Sequence, residues 1–310
     1  AIARESGIAV IPVFMDNLWQ TRFSFFSAEG MHFKKKPLRM VINIGIGKPL
    51  APDTISLSRV RESLLDLSEA CFQRRKELEG HIADYCFRGM ARNPFFEQLV
   101  DYTTGRKSLK SGIILALALL VSKYVRANIP AERVGIVLPP GIAGTVANLG
   151  VLFAGKIPVN LNFTAGAAAI QSSYRKGEID TVITADALKK KIPNFPWPED
   201  TVDIVPILQG FDKKAILLRY LLIIVVPSAL MVRFCGIPRY GDDEEAGLLF
   251  TSGSSGEPKG VPLSHRNILS NVLQIDEIAL LSKDDTSLMC CLPIFHSFGY
   301  TVTLWYPLIR

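Results

Sequence analysis

Histidine and cysteine, the residues that most often build metal and nucleophilic sites, are scarce here: four and five in 310 residues. Cys71, Cys86, Cys235, Cys290 and Cys291 contain no Cys-x-x-Cys pair, and His32, His81, His265 and His296 have no partners at ligand spacing. No protein-built metal site is therefore expected. An odd, scattered set of cysteines fits structural thiols in a reducing compartment. No apolar run reaches the eighteen or so residues of a membrane-crossing helix. The longest runs, residues 113–121 and 221–226 (the latter continuing past Pro227 to 232), are expected to be buried helices, with an interfacial helix as the alternative. No signal peptide is visible. The chain opens on Ala1 and stops at Arg310 without terminal punctuation, so it is expected to be an internal piece of a longer protein. No nucleic-acid recognition motif accompanies its basic charge, and no nucleic-acid partner is expected.

What is abundant is apolar. Such residues make up 48%, with a mean hydropathy of +0.24, which points toward a membrane surface. The net charge is +6, and residues 1–110, with 17 basic against 12 acidic side chains, hold five of those charges. The clusters Lys34-Lys35-Lys36 and Arg74-Arg75-Lys76 could meet anionic headgroups or an acidic carrier protein; ordinary solvated basic faces are the other reading.

The most informative stretch is Thr251-Ser252-Gly253-Ser254-Ser255-Gly256-Glu257-Pro258-Lys259-Gly260, which follows the apolar run Leu248-Leu249-Phe250. Glycine lets the backbone turn and come close to a ligand. Successive backbone N–H groups make an anion-binding concavity. The hydroxyls add donors, and Lys259 adds a compact charge suited to phosphate. The spacing is not that of the P-loop, the dinucleotide fingerprint or the nucleophile elbow. A flexible Ser/Gly linker is the bland reading, set aside because the loop lies between two extended apolar segments with a lysine near its end.

Along the chain, strands are expected over residues 6–14 and 38–46 and a helix over 56–86, then a polar linker over 87–110. After it, helices over about 111–127, 142–154, 166–176, 212–232 and 264–281 alternate with strands over 133–138, 157–160, 181–184, 202–208, 248–251 and 287–292. That alternation predicts an α/β fold with a mostly parallel, doubly wound sheet.

The serine- and glycine-rich loop resembles the phosphate-binding signature of the adenylate-forming, acyl- and aryl-CoA synthetase superfamily. About thirty residues further on, Leu292-Pro293-Ile294-Phe295-His296-Ser297-Phe298-Gly299 resembles that superfamily's next signature. The resemblance implies that Thr251, Ser252, Gly253, Ser254, Ser255, Gly256 and Lys259 hold the phosphates of ATP with Mg²⁺. It implies a place for His296 in the pocket for carboxylate and α-phosphate; a histidine satisfied by the core is the alternative. Phe295 and Phe298 are expected in the core, and Ser264 or Asn267 is expected to cap the helix beginning near His265. Asn160-Leu161-Asn162-Phe163-Thr164 resembles a family turn and is expected to be structural.

The first 86 residues resemble the C-terminal part of the glycerophospholipid acyltransferases, through Ala9-Val10-Ile11-Pro12-Val13 and residues 41–50. The combination looks like the bacterial bifunctional family that joins a 2-acylglycerophosphoethanolamine acyltransferase to an acyl carrier protein synthetase. It implies an acyltransferase remnant over 1–86, a linker over 87–110 and the N-terminal part of an adenylation domain over 111–310. It also implies fatty-acid activation to acyl-AMP, transfer to acyl carrier protein, and acylation of a lysophospholipid at the cytoplasmic face of a bacterial inner membrane. A long-chain acyl-CoA synthetase with an unrelated N-terminal extension, or a non-catalytic binding module, are the alternatives. The acyltransferase motif His-x-x-x-x-Asp is missing: the residues five after the histidines are Pro37, Cys86, Ser270 and Thr301. The superfamily's later signatures do not follow either, so the piece is expected to be inactive alone.

Overall fold

A computed structural model describes residues 5–18, 41–102, 105–251, 257–278 and 287–310. The chain divides into two compact units, Ala1–Glu79 with Ile275–Ser282, and Gly80–Gln274 with Lys283–Arg310.

In the first unit β1 (Val13–Asp16) pairs antiparallel with β2 (Asn43–Ile46), with Val13 opposite Ile46 and Asp16 opposite Asn43. Both strands are shorter than the apolar runs that announce them. Helix α1 (Leu57–Gln73) starts at Ser56, whose hydroxyl accepts from the Arg59 N–H at 3.2 Å. Arg75 lies in extended backbone past the end of α1. Its guanidinium grips both carboxylate oxygens of buried Asp16, at 2.7 and 2.6 Å, and also pairs with Glu277. Burial raises the Asp16 pKa, but hydrogen bonds and charge from Arg75 outweigh it and leave the carboxyl below its ordinary value.

The helix expected over 56–86 is therefore interrupted. It stops at Gln73, passes a 3₁₀ turn at Lys76–Leu78, and resumes as α2 (Ile82–Ala91). Gly80 has φ +99°, a left-handed conformation that ends helical propagation and suits glycine.

Residues 87–110, expected as a linker, carry the second half of α2 and a hairpin, β3 (Glu97–Asp101) with β4 (Lys107–Lys110). Helix α3 (Ser111–Asn128) follows directly. It is long and apolar enough to cross a membrane, yet Ile114, Leu115, Ala118, Val121 and Val125 are buried, as in a core helix.

The parallel sheet has the order β6–β5–β7–β8. Its strands are β5 (Arg133–Ile136), β6 (Ile157–Asn160), β7 (Thr181–Thr184) and β8 (Asp200–Asp203), linked by α4 (Ile142–Phe153), α5 (Ala167–Gly177) and α6 (Asp186–Lys191). The step from β5 to β6 runs one way across the sheet and the step from β6 to β7 the other. Right-handed crossovers then put α4 and α5 on opposite faces, the doubly wound arrangement. Every residue of β6 and β7 is buried, the polar Asn160, Thr181 and Thr184 among them, as in a parallel sheet covered on both faces. Gly150 lets α4 close on α3: a Cβ there would lie 2.3 Å from a Val121 methyl. Across the same layer, Asn148 of α4 and Asn160 of β6 exchange two amide hydrogen bonds, at 3.1 and 2.8 Å, in full burial.

Residues 202–208, expected as a strand, split into β8 and α7 (Ile204–Gly210). Asp203 accepts from Val205 N–H at 2.9 Å and caps the helix, and Pro206 sits in the first turn, where no N–H is needed. A short β-branched run does not distinguish the two states by periodicity. The helix expected over 212–232 is broken at Pro227 into α8 (Lys213–Val225) and α9 (Ser228–Phe234). Then β9 (Glu245–Thr251) and β10 (Lys259–Ser264) form an antiparallel hairpin, with β9 alongside β6, and α10 (His265–Ile278) follows. Residues 287–292, expected as a strand, are irregular. The chain closes with a π-helical segment, Gly299–Trp305, and α11 (Tyr306–Ile309).

The start of α2 is held by two buried imidazoles. His81 Nδ1 accepts from Ala83 N–H at 3.1 Å, and His265 Nδ1 accepts from Ile82 N–H at 3.3 Å. The two rings lie 3.6 Å apart between centroids. Burial, and then its neighbour His265, lowers the His81 pKa to about 3; burial lowers His265 to about 4, against the opposing charge of Asp242.

Two predictions follow from these contacts. Replacing Asn148 by Leu strands the Asn160 amide, and urea unfolding should show a loss of about 1–3 kcal/mol. Replacing both asparagines by Leu should cost less than the single change; a larger cost would refute the pairing argument. Both histidines have folded-state pKa values below the unfolded value of about 6.5. Their stability is complete above that pH and declines as pH falls toward 4 and 3, by about 1.4 kcal/mol per pH unit per histidine. His81→Asn keeps a capping acceptor and removes one proton site. Its melting temperature should fall less between pH 7 and pH 5 than that of the unsubstituted protein, and equal slopes would contradict the assignment.

Candidate phosphate-binding site

The hairpin β9–β10 brings the two ends of the serine- and glycine-rich segment together. Thr251, the last residue of β9, is directly opposite Lys259, the first of β10, and both are exposed. Ser252, Gly253, Ser254, Ser255 and Gly256 lie outside the described residues. The strand that carries them in is fixed by burial: Ala246, Leu248 and Leu249 enter the core, where Leu248 joins Val137, Val159, Val182 and Phe195. At the other end of β9, Arg133 of β5 grips Glu245 with two hydrogen bonds, of 2.9 and 2.7 Å. That pairing raises the Arg133 pKa and ties the hairpin to the parallel sheet.

The exit of the hairpin is capped as expected, and by both candidate residues at once. Ser264 Oγ accepts from Asn267 N–H at 3.2 Å, and Asn267 Oδ1 accepts from Ser264 N–H at 3.0 Å. His265, next in line, is the buried acceptor already described. Arg266 pairs with Asp243 at 2.9 Å.

One residue that sequence reasoning missed holds the loop's second flank. Lys176, in the last turn of α5, donates from Nζ to Glu257 Oε2 and to the Pro258 carbonyl, both at 2.9 Å. Its hydrogen bond and charge lower the Glu257 pKa. In sequence, Arg175 and Lys176 are simply two cations at a helix C-terminus, where the helix dipole favours them, and nothing there names a partner 81 residues away.

His296 is exposed, in a turn where its N–H donates to Pro293 O at 3.0 Å and its carbonyl accepts from Tyr300 N–H at 2.8 Å. No hydrogen bond among the described residues joins it to Thr251 or Lys259. Its side chain is not satisfied by the core, so the bland alternative for this histidine does not hold. Ile294 before it is buried, and Phe295 stacks edge-on against Phe163, 5.4 Å between centroids. Phe298, expected in the core, is exposed. Phe163 belongs to the turn after β6, so that turn and the His296 segment are packed together.

Chemically, the hairpin offers a hydroxyl and an ammonium on either side of a segment whose sequence is rich in hydroxyls and glycine. That suits the oxygens of a polyphosphate. No group of three or more His, Cys, Asp or Glu among the described residues could hold a metal ion. A Mg²⁺ here would be carried chiefly by phosphate oxygens, as this ion commonly is.

The sequence profile of the family described as AMP-binding enzyme matches residues 120–310. A long-chain-fatty-acid–CoA ligase of Bacillus subtilis (strain 168) is 25% identical over 230 residues, which cover 65% of this chain and 40% of the ligase. A 4-hydroxyphenylalkanoate adenylyltransferase of Mycobacterium marinum is 27% identical over 206 residues, covering 60% of this chain and 30% of that enzyme. The solved fatty acyl-adenylate ligase from L. pneumophila, in complex with acyl adenylate and pyrophosphate, shares the fold. Its TM-score is 0.57 at 21% identity, over 77% of this chain and 39% of that one. The chain thus spans 30–40% of the length of these curated relatives. Its profile match takes in both signature segments and the whole parallel sheet, and the chain belongs to the AMP-binding enzyme family.

Proposed function

We propose that this chain supplies the phosphate-binding part of an enzyme that activates a fatty acid with ATP. The carboxylate oxygen attacks the α-phosphorus in line, the bond from that phosphorus to the β-phosphate oxygen breaks, and acyl-AMP and pyrophosphate result. The observation that carries this reading is the rung between Thr251 and Lys259. It fixes a hydroxyl and a cation on either side of a glycine- and serine-rich loop, in a chain of the AMP-binding family. Charge develops on the leaving pyrophosphate, and a fixed cation with preorganised donors stabilises that charge in the transition state. Lys176 is a positioning residue, acting through Glu257 and Pro258. His296, exposed and following a buried Ile294, is assigned to the carboxylate and α-phosphate side of the site. Fatty acid as substrate is supported by the names of the relatives, a long-chain-fatty-acid–CoA ligase among them.

The test is fatty-acid-dependent exchange between ATP and pyrophosphate in the full-length protein. Lys259→Ala should lower kcat/KM by about 10²-fold or more, the scale of losing one transition-state contact. Lys176→Ala should act chiefly through the KM for ATP, and Lys176→Arg should restore it. Exchange unchanged by Lys259→Ala would sink the assignment.

The finer reading is that the acyl group passes to acyl carrier protein and then to 2-acylglycerophosphoethanolamine. Its support is the resemblance of the first 86 residues, together with the bare outer face of the two-stranded sheet. Val13, Met15, Ile44 and Ile46 are all exposed on that face, opposite the one covered by α1, which is how part of a larger α/β layer would look. With radiolabelled fatty acid and ATP, the full-length protein should load acyl carrier protein in preference to CoA and then label the lysophospholipid. Preference for CoA and no lipid product would favour a plain acyl-CoA synthetase instead.

A further inference from the structure

Two apolar helices of similar composition have opposite surroundings in this protein. Helix α3 is buried, whereas α8, whose apolar run is also expected in the interior with an interfacial helix as the alternative, keeps one side exposed. One side of α8 is anchored: Ile223 is buried and the Tyr220 ring meets Phe95 edge-on, 6.2 Å between centroids. The opposite side is a continuous exposed arc. At 100° per residue, Leu217, Leu221, Val225, Leu218 and Leu222 fall within about 140° of one another, and all five are exposed. Val225 reaches 78% exposure. A helix on the surface of a soluble protein ordinarily turns polar residues outward on this arc. Beyond Pro227, α9 repeats the arrangement: Met231 and Val232 are buried, and Leu230 and Phe234 point outward, Phe234 at 79% exposure.

Within residues 212–234 the charged side chains are basic but for one. Lys213 and Lys214 are exposed at the start of α8 and Arg233 is exposed in α9, while Arg219 is half-buried, with its guanidinium on the Ala215 carbonyl. From 212 to 234 the single acid is Asp212, and it is engaged as the N-cap of α8, accepting from Lys214 N–H at 3.0 Å. Seven large apolar side chains exposed on two consecutive helices, five of them on one arc of α8, mark an interaction site. An apolar arc on a segment whose charged residues are lysine and arginine apart from the capping Asp212 matches a helix lying in the interface of a negatively charged bilayer. There the apolar arc enters the acyl boundary and the long cationic side chains reach back to the headgroups.

We propose that the outer face of α8 and α9 docks this protein on an anionic lipid surface. This gives the fatty-acid reading a source of substrate and rests on it for that purpose only. The docking is measured without ATP or fatty acid, so either can fail alone.

The test is co-sedimentation of the full-length protein with vesicles of phosphatidylcholine, or of phosphatidylcholine and phosphatidylglycerol at three to one. Expected are binding to the anionic vesicles and weakening by salt. Leu218→Asn with Leu222→Asn should lower the partition at least tenfold, and Lys213→Glu with Lys214→Glu should remove the preference for the anionic lipid. Val225→Asn, a single change at a more exposed position, gives the same reading if the double variant folds poorly. Equal partition of the apolar variants and the unsubstituted protein overturns the proposal. So does absence of binding to both vesicles, or a self-associated protein that Leu218→Asn merely dissociates.

Discussion

The rung between Thr251 and Lys259 closes the antiparallel ladder of β9 and β10, and the serine- and glycine-rich candidate segment joins the two strands in sequence. Glycine and serine bring little apolar surface to a core, so the position of such a segment depends on what holds the residues flanking it. Three contacts do this at different points. Arg133 holds Glu245 at the root of β9, the Ser264–Asn267 box closes β10 onto α10, and Lys176 holds Glu257 and Pro258 from α5. Exposed ion pairs contribute little to stability, and the Lys176–Glu257 pair is exposed on both sides. Its consequence is local: it restricts where the flank of the loop can go. The Arg133–Glu245 pair is bidentate and more enclosed, and it joins the loop-bearing hairpin to the first strand of the parallel sheet.

The doubly wound sheet was legible because its strands obey a simple rule. Strands buried on both faces carry β-branched and apolar residues without polar alternation, and the short stretches of β5, β6 and β7 have that character between their polar ends. The errors have one physical origin. Periodicity reports which residues want burial and says little about backbone interruptions, which are imposed by single residues. The extended Arg75, tied to Asp16, follows the end of α1, Gly80 separates the 3₁₀ turn from α2, Pro227 divides α8 from α9, and Asp203 caps α7 where a strand is expected. Each of these residues is visible in the sequence, but its effect depends on a partner or a conformation that only the fold supplies. The hairpin over 97–110 was missed for a related reason: its strands are half-exposed and polar, so no alternation of apolar residues marks them.

The candidate site was legible in chemistry and not in support. Thr251 and Lys259 follow from the need of a phosphate for hydroxyls and a cation, and the ladder places them opposite each other. His296 rests on resemblance, and its exposure leaves its ring free of the core. Lys176 has no local signature because its partner is remote in sequence. The same holds for His81, which looks like an isolated histidine until its ring is found against His265 at the start of α2. Support residues act through pairs, and a single sequence presents them one at a time.

Helices α3 and α8 carry this point to the surface. Both are rich in leucine, isoleucine and valine, and neither has a strong polar face, so composition assigns both to the core. The sheet and its helices, however, offer only a limited apolar area to pack against. Helix α3 takes it, closing on α4 through Gly150, and α8 is left with one side attached and one side free. An apolar arc kept outside the core costs solubility unless something covers it. Lysine and arginine at the edges of that arc, in a region whose one acid is tied up in a helix cap, favour a cover that is apolar within and negatively charged at its surface. Part of the apolar excess in the composition is thus exposed on α8 and α9, as another part is exposed on Val13, Met15, Ile44 and Ile46 of the two-stranded sheet.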